Sequence, residues 1–495
     1  MAYMKVEQIK SKLINIYNSA IKKASPRIAV REHIKCSGIT LEVNTNSHAR
    51  LVTTNNENLS SLHPSPFTLH DSHIKTFKFR KIFIAGFGKA SCAMAQGILD
   101  VIPDAEGTVV TKYGHSIPLG HIEIIESGHP VPDENSIKGA EKIITYLHKA
   151  SRDDLIMFLI SGGGSAIIEK PRKGISLSDM QVMTDLLIKT EATIQEINII
   201  RKHLSEIKGG GLARMAYPAS FISLIISDVI GSDISSVASG PTCGDISTFK
   251  DCSDIIDKYD LSDRIPVSVK NLILKGIKGE IPETPFPDDH IFQQSINCYD
   301  STLTDKNLSS CHALPVTRHP FHINSIILDN ETFCHILDDE AKKEGFNTVY
   351  IKTPVTTETG EKFIKELKEL IKSYSGEKLL ILGGEVTFKI PPISGKGGRN
   401  QHLVLLYTRD IIPEYPDTCA MFASTDGTDG PTDGSGGFSH RGLKDIKGLI
   451  EAINNYDSYN FLKHHGELFT TGPTGNNLND VFLIYTGPGG ICSDI

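Results

Sequence analysis

Apolar residues at Ile9, Leu13, Ile16, Tyr17 and Ala20 fall on one helical face, so residues 5–24 read as an amphipathic helix. From about residue 80 the pattern changes to short apolar runs separated by helical stretches. The runs are KIFIAG (81–86), GTVVTK (107–112), IEIIES (122–127), DLIMFLIS (154–161) and FISLIIS (221–227). Helical periodicity lies between them, from Ser136 to Ala150 and from Ser178 to Lys189. Uninterrupted apolar strands alternating with helices predict a parallel sheet covered on both faces. Ligands of such sheets bind at the carboxyl ends of the strands.

Periodicity fades after about residue 265, and residues 266–323 read as a linker or irregular excursion, as do residues 43–76. A second ordered region starts near Ser325, with candidate strands SIIL (325–328), TVYIK (348–352), LLILGG (379–384), HLVLLY (402–407), MFAST (421–425) and VFLIY (481–485). One helix is expected from Thr359 to Ser373. So many strands for so few helices predict a mixed sheet. The chain therefore divides into an α/β region over 1–265 with a doubly wound parallel sheet, an excursion over 266–323, and a smaller mixed α/β region over 324–495 whose final segment is able to pack back on the first.

Length supports this division, because 495 residues exceed what one hydrophobic core usually serves. A hydrophobic share of 39% and a charged share of 22% are those of an ordinary globular protein. No apolar run approaches the roughly eighteen residues that span a bilayer. The net charge of −8 gives no reason to expect nucleic acid or an anionic membrane as partner, though a local pocket can still be basic. Nine scattered cysteines without a CxxC pair point to reduced thiols and a cytoplasmic protein. The lysine-rich first helix leaves a mitochondrial address open, but it is poor in Arg and Ser, which favours a folded surface helix. His48, His63, His70 and His73 are not at metal spacing.

Candidate chemistry sits in the loops. Gly86, Gly88, Lys89 and Ser91 follow the first strand and open a helix, where glycines admit an anion and the helix end attracts it. A dinucleotide loop would have Gly or Ala at Ser91 and an acid after the next strand, which instead ends Thr111-Lys112. A P-loop would have Gly at Phe83 and Ser or Thr at Ala90. Ser161, Gly162, Gly163, Gly164 and Ser165 form a second glycine loop, suited to a phosphate or carboxylate; a plain tight turn is the alternative, and no GxSxG elbow marks Ser165 as a nucleophile. Arg201, with Lys202 and His203 beside it, and Lys208 with Gly209 can supply charge-assisted contacts to phosphates, although a solvated helix face explains Lys202 equally well.

Asp228 ends a buried strand, where it can bind magnesium or accept a hydroxyl proton. Asp233 reads equally as a metal ligand or a cap. In the second region Glu385 lies in GGEVT, and Arg399 and Asn400 lie in GKGGRNQ, where an arginine can stabilise charge on a transferring phosphoryl group. Asp426 belongs to TDGTDGPTDG, which lacks the ligand order of an EF-hand and reads as a magnesium-nucleotide loop or a braced turn.

Taken in order, GFGKAS, SGHPVPDE, SGGGSA, INIIRKHLSEIKGGGLA, SDVIGSDISSVASGPT, GGEVT, GKGGRNQHL, STDGTDGPTDGSG and TGPTGNNLND resemble the class II glycerate kinases, whose second half is the MOFRL domain. The resemblance covers most of the chain outside the irregular segments. It implies a Rossmann-like first domain, a smaller α/β second domain and an active site in the cleft between them. It implies phosphorylation of D-glycerate to 2-phosphoglycerate with ATP and Mg2+, and it leaves a homodimer open. Lys89, Asp228 and Arg399 match positions that the family places in its active site, and Asp228, Asp233 and Asp426 are the candidate metal ligands. Two other readings stay in view: a hydroxypyruvate reductase and a binding module that has lost its chemistry.

Overall fold

The computed structural model describes residues 5–37, 40–44, 74–190, 192–229, 231, 233–293, 322–351, 359–374, 376–388, 394–443 and 446–487. The chain forms two compact units, one of Pro26–Ile327 and the other of Met1–Ser25 together with Leu328–Ile495.

In the Pro26–Ile327 unit a six-stranded sheet has the spatial order Glu123–Ser127, Glu106–Lys112, Ile82–Phe87, Leu155–Ile160, Ser220–Ile226, His322–Leu328. The first five of these strands pair in parallel. Strand order therefore reverses between Ile82–Phe87 and Leu155–Ile160, the kind of switch point at which α/β sheets bind ligands. Every residue of Leu155–Ile160 and of Ser220–Ile226 is buried, as strands covered on both faces must be. Helix Glu134–Lys149 covers one side through Ala140, Ile143 and Leu147. A satellite core joins helices Leu177–Lys189, Ile194–Leu204, Phe249–Lys258 and Val267–Ile277 around the buried Phe249. Helices Glu134–Lys149 and Leu177–Lys189 begin at polar caps, with Asp133 accepting from Ser136 N at 3.0 Å and Ser176 from Asp179 N at 3.1 Å.

The other unit carries a second six-stranded sheet, in the order Thr348–Ile351, Lys378–Gly384, Asp480–Thr486, Thr418–Ser424, Gly436–His440, Leu468–Phe469. Only the pair Thr348–Ile351 with Lys378–Gly384 is parallel; the described remainder is antiparallel, so the sheet is mixed as expected. Helix Arg399–Asp410 is buried from Asn400 through Thr408 and forms the centre of this unit's core.

Several sequence expectations change. HLVLLY lies inside helix Arg399–Asp410; a helix buried all round is apolar all round, so its period is hidden. SIIL belongs to His322–Leu328, the strand beside Ser220–Ile226 at the edge of the first sheet. Residues 266–323 are not wholly irregular, since Val267–Ile277 is a helix and Ile291 and Phe292 enter the core. Residues 43–76 overlap two strands, Thr40–Asn44 and Ile74–Lys78, which form a small antiparallel sheet with Ile34–Ser37. His48, His63, His70 and His73 lie outside the described residues.

Helix Val6–Lys23 is where its periodicity puts it, with all five stripe residues buried. It belongs to the unit of the chain's second half: Tyr17 donates to Ser424 O at 2.6 Å and packs edge-on against Phe333 and Phe469. Tyr17→Phe leaves that buried carbonyl without its donor and should destabilise this unit by about 1–2 kcal/mol. Hydrogen exchange should quicken in Thr418–Ser424 and not in Leu155–Ile160; equal quickening in both would show that the helix does not belong to one unit.

Candidate active site

Two glycine loops leave the first sheet at the same level, because Phe87 pairs with Val110 on one side and Ile160 on the other. Their backbones then touch. Lys89 N donates to Gly162 O at 3.0 Å, and Ala90 N donates to Ser161 Oγ at 3.0 Å. Gly88 has φ +118°, and a Cβ there would stand 2.3 Å from Ser161 Oγ and 2.5 Å from Ser161 O. Only glycine meets both the conformation and the space. Gly86 lies within the strand, where an added Cβ would meet Val109 at 3.0 Å. Ser91 is fully buried and braces the loop, donating to Gly88 O at 2.7 Å and Val110 O at 3.1 Å.

The second loop is equally confined. A Cβ on Gly162 would fall 2.1 Å from Asp228 Oδ2, so the Asp228 carboxylate lies directly against this backbone. On Gly163, with φ +83°, a Cβ would meet the His129 ring at 2.9 Å and Lys89 Cγ at 3.3 Å. Gly164 packs against Ala238. Ser165 Oγ lies 2.8 Å from Ser239 Oγ, which donates to Asn198 Oδ1 at 3.0 Å. Lys89, Asp228 and the Ser161–Ser165 loop are therefore one cluster at the switch point.

The cluster has a cationic side. Burial, then Lys89, Lys112 and His115, hold the His129 pKa down at about 4, so this ring is neutral at physiological pH. Burial with Lys112 and Lys89 also lowers His115. The histidine of SGHPVPDE, just past the end of Glu123–Ser127, joins this cluster although its sequence motif gave it no role. Its place after a parallel strand was the available signal.

Other expected residues lie deeper. Lys208 is buried in an ion pair with Glu169, which also accepts from Ser205 Oγ at 2.6 Å; burial lowers the Lys208 pKa against the pull of Glu169. Gly209, with φ +50°, donates its N–H to Ser239 O at 3.0 Å and so fastens the KGGG turn to the Asn198–Ser239 chain. Burial lowers the Arg201 pKa too, opposed by Glu169. Lys202 is no solvated face: it is buried 3.2 Å from Asp245. Asp233 accepts from Ser235 N at 3.0 Å and from the hydroxyls of Ser235 and Ser236, an arrangement that braces the turn before Ser239.

A second cluster stands in the unit that holds Arg399. Helix Arg399–Asp410 starts after Gly398, which has no side chain to cap it; a Cβ there would strike Asp429 Cγ at 2.2 Å. Asp429 provides the cap instead, accepting from Asn400 N at 3.1 Å and Gln401 N at 2.7 Å. This cap orients Arg399, which binds Glu385 and reaches Asp480 Oδ2 with Nε at 2.7 Å. Burial alone would lower the Arg399 pKa, but Asp480 and Glu385 together raise it. Asp426 accepts from Ser424 Oγ at 2.9 Å and Thr428 N at 2.8 Å, bracing its own turn. Asp429 and Asp480 were not singled out from sequence, because their roles depend on a helix start in a run read as a strand.

Burial pushes the Asp480 carboxyl up to about 7 against the pull of Arg399, and Asp429 up to about 6 against its backbone donors. A carboxyl whose folded pKa lies above its unfolded value binds more protons when folded. Its contribution to stability is complete below about pH 4 and is lost as pH rises through about 6 for Asp429 and about 7 for Asp480. Asp480→Asn should flatten the fall in unfolding free energy between about pH 4 and 7. Parallel denaturant curves with an unchanged slope in the variant would contradict this assignment.

A sequence model of a domain of unknown function, DUF4147, matches residues 12–274, and that of the MOFRL family matches residues 378–480. The chain is similar to a glycerate 2-kinase of Pyrococcus horikoshii, with 37% identity over 83% of this chain and 88% of that protein. It is similar to a D-glycerate 2-kinase of Thermotoga maritima, with 36% identity over 81% and 90%. A putative hydroxypyruvate reductase of Agrobacterium vitis is 35% identical over 82% and 87%. The crystal structure of a glycerate kinase from Thermotoga maritima superposes with a TM-score of 0.72 at 31% identity, covering 97% of this chain and all of that one.

Proposed function

Because this chain belongs to the MOFRL-type glycerate kinase family, we propose that it transfers the γ-phosphoryl group of ATP to the 2-hydroxyl of D-glycerate. The observation that carries the reading is the packing of the Asp228 carboxylate on Gly162, in the loop whose backbone also engages Lys89. Phosphoryl transfer needs positioned charge more than covalent chemistry, and this cluster offers a cation, a carboxylate and a glycine-lined backbone at one switch point. Lys89 neutralises anionic oxygens, and the neutral His129 ring packs beside it without adding charge. In the other unit Arg399 is held in a fixed direction by Glu385 and Asp480, a cation suited to an anionic oxygen. Asp228 receives the proton of the attacking hydroxyl or holds the metal.

The donor set suits magnesium better than a metal caged by protein. Among the described residues no group of three or more His, Cys, Asp or Glu side chains could hold an ion. Magnesium typically uses one or two carboxylates and the phosphates of its nucleotide. Asp228 would hold it at the switch point, whereas Asp233 and Asp426 are taken up in bracing their own turns. When bound, it neutralises charge on the β- and γ-phosphates. Cys92, Cys243, Cys252, Cys334 and Cys419 are free thiols, which supports a reducing, cytoplasmic setting.

Phosphorus and carbon NMR of the protein with ATP, Mg2+ and D-glycerate tests the reading. A phosphomonoester coupled at carbon 2 is expected, and Lys89→Ala should lower kcat/KM by about 100-fold or more. The same protein with hydroxypyruvate and a nicotinamide cofactor should leave the cofactor unchanged. Absence of a phosphoester together with cofactor oxidation would establish the reductase instead. The end of strand Glu106–Lys112 speaks against that outcome, because Thr111 there donates to Gly88 O at 3.2 Å and no acid stands in its place to take a ribose.

A further inference from the structure

The hydrogen bonds running from Ser165 to Asn198 have a direction. Asn198 is 4% exposed, and its Oδ1 can only accept. Ser239, fully buried, therefore spends its one proton on Asn198, 3.0 Å away. In the 2.8 Å contact between the two serines, Ser165 must then be the donor. Its proton is committed to Ser239, and the half-buried Ser165 Oγ has only lone pairs left to offer a ligand. A phosphate or carboxylate oxygen also has only lone pairs and finds no partner in this hydroxyl. The hydroxyl of a substrate does. Ser165 directly follows the three glycines on which Asp228, His129, Lys89 and Ala238 pack.

We propose that Ser165 accepts a hydrogen bond from the acceptor's hydroxyl that is not phosphorylated, and that Ser239 and Asn198 are positioning residues that fix this polarity. The proposal rests on the glycerate reading. The transferred hydroxyl loses its proton as its oxygen bonds to phosphorus, and a serine oxygen cannot keep a second proton at neutral pH. A carboxylate such as Asp228 can. Ser165 thus suits a hydroxyl that keeps its proton throughout, which for 2-phosphorylation is the 3-hydroxyl. The backbone of the loop remains the anion-binding element, whereas the Ser165 side chain reads the substrate's alcohol.

The test compares D-glycerate with D-lactate, which keeps the carboxylate and the 2-hydroxyl but lacks the 3-hydroxyl. In Ser165→Ala, kcat/KM for D-glycerate should fall about tenfold, the worth of one neutral hydrogen bond. The KM for ATP and the inhibition constant of D-lactate should not change. Ser239→Ala, which frees Ser165 to rotate, should give a smaller loss confined to D-glycerate. A raised KM for ATP with D-glycerate unaffected would overturn the proposal in favour of a phosphate contact. Equal weakening of D-lactate and D-glycerate would overturn it as well. Wild-type protein that forms no phosphoester would defeat the glycerate reading itself, while wild-type turnover that Ser165→Ala leaves unaltered would defeat only this proposal.

Discussion

The site in the Pro26–Ile327 unit depends on two loop backbones approaching more closely than any side chain allows. The parallel register sets Phe87 beside Ile160, so the chain must turn off the sheet twice at the same level. Hydrogen bonds from Lys89 N and Ala90 N to the Ser161–Gly162 segment lock the turns together. Glycine at 88 is a consequence of that approach, and glycine at 162 leaves room for the Asp228 carboxylate from the loop after a neighbouring strand. The packing of Lys89 and His129 on Gly163 follows from the same constraint.

A comparable constraint governs the unit that carries Arg399. Gly398 leaves room for Asp429 to cap the helix from a distant loop, and the helix start then aims Arg399 at Glu385 and Asp480. Burial raises the proton affinity of Asp480, which holds the guanidinium, and of Asp429, which caps the helix. Lys89, Asp228 and Arg399 are partly exposed, while Ser161, Asp429 and Asp480 beside them are buried.

Most of the first sheet was legible in the sequence, because strands covered on both faces leave uninterrupted apolar runs. KIFIAG, DLIMFLIS and FISLIIS differ from the observed strands by a residue or so at their ends. The same signature misled at HLVLLY, where a buried helix is equally apolar. SIIL was assigned to the wrong sheet because adjacency along the chain says nothing of which edge a strand joins. Among candidate site residues, the position of the glycine loops, Lys89 and Asp228 at strand ends was legible. The burial of Ser91 and Lys208 was not, since a serine or lysine in a glycine-rich stretch looks the same whether it faces a ligand or a buried partner. Asn198, Ser239 and Asp429 act across long sequence separations, which no local pattern encodes.

On the proposed reading, the packing of Asp228 on Gly162 positions the carboxylate for phosphoryl transfer. Gly162 is not in a left-handed conformation, and the three atoms nearest to an added Cβ all belong to the Asp228 carboxylate. The direct measurement is steady-state turnover of Gly162→Ala with ATP, Mg2+ and D-glycerate, alongside its thermal unfolding. A loss in kcat of about 100-fold is expected, the scale of displacing a reacting group by roughly 1 Å, with the unfolding midpoint nearly unchanged. Wild-type turnover in the folded variant would contradict it, showing that the reaction does not depend on where this carboxylate is held.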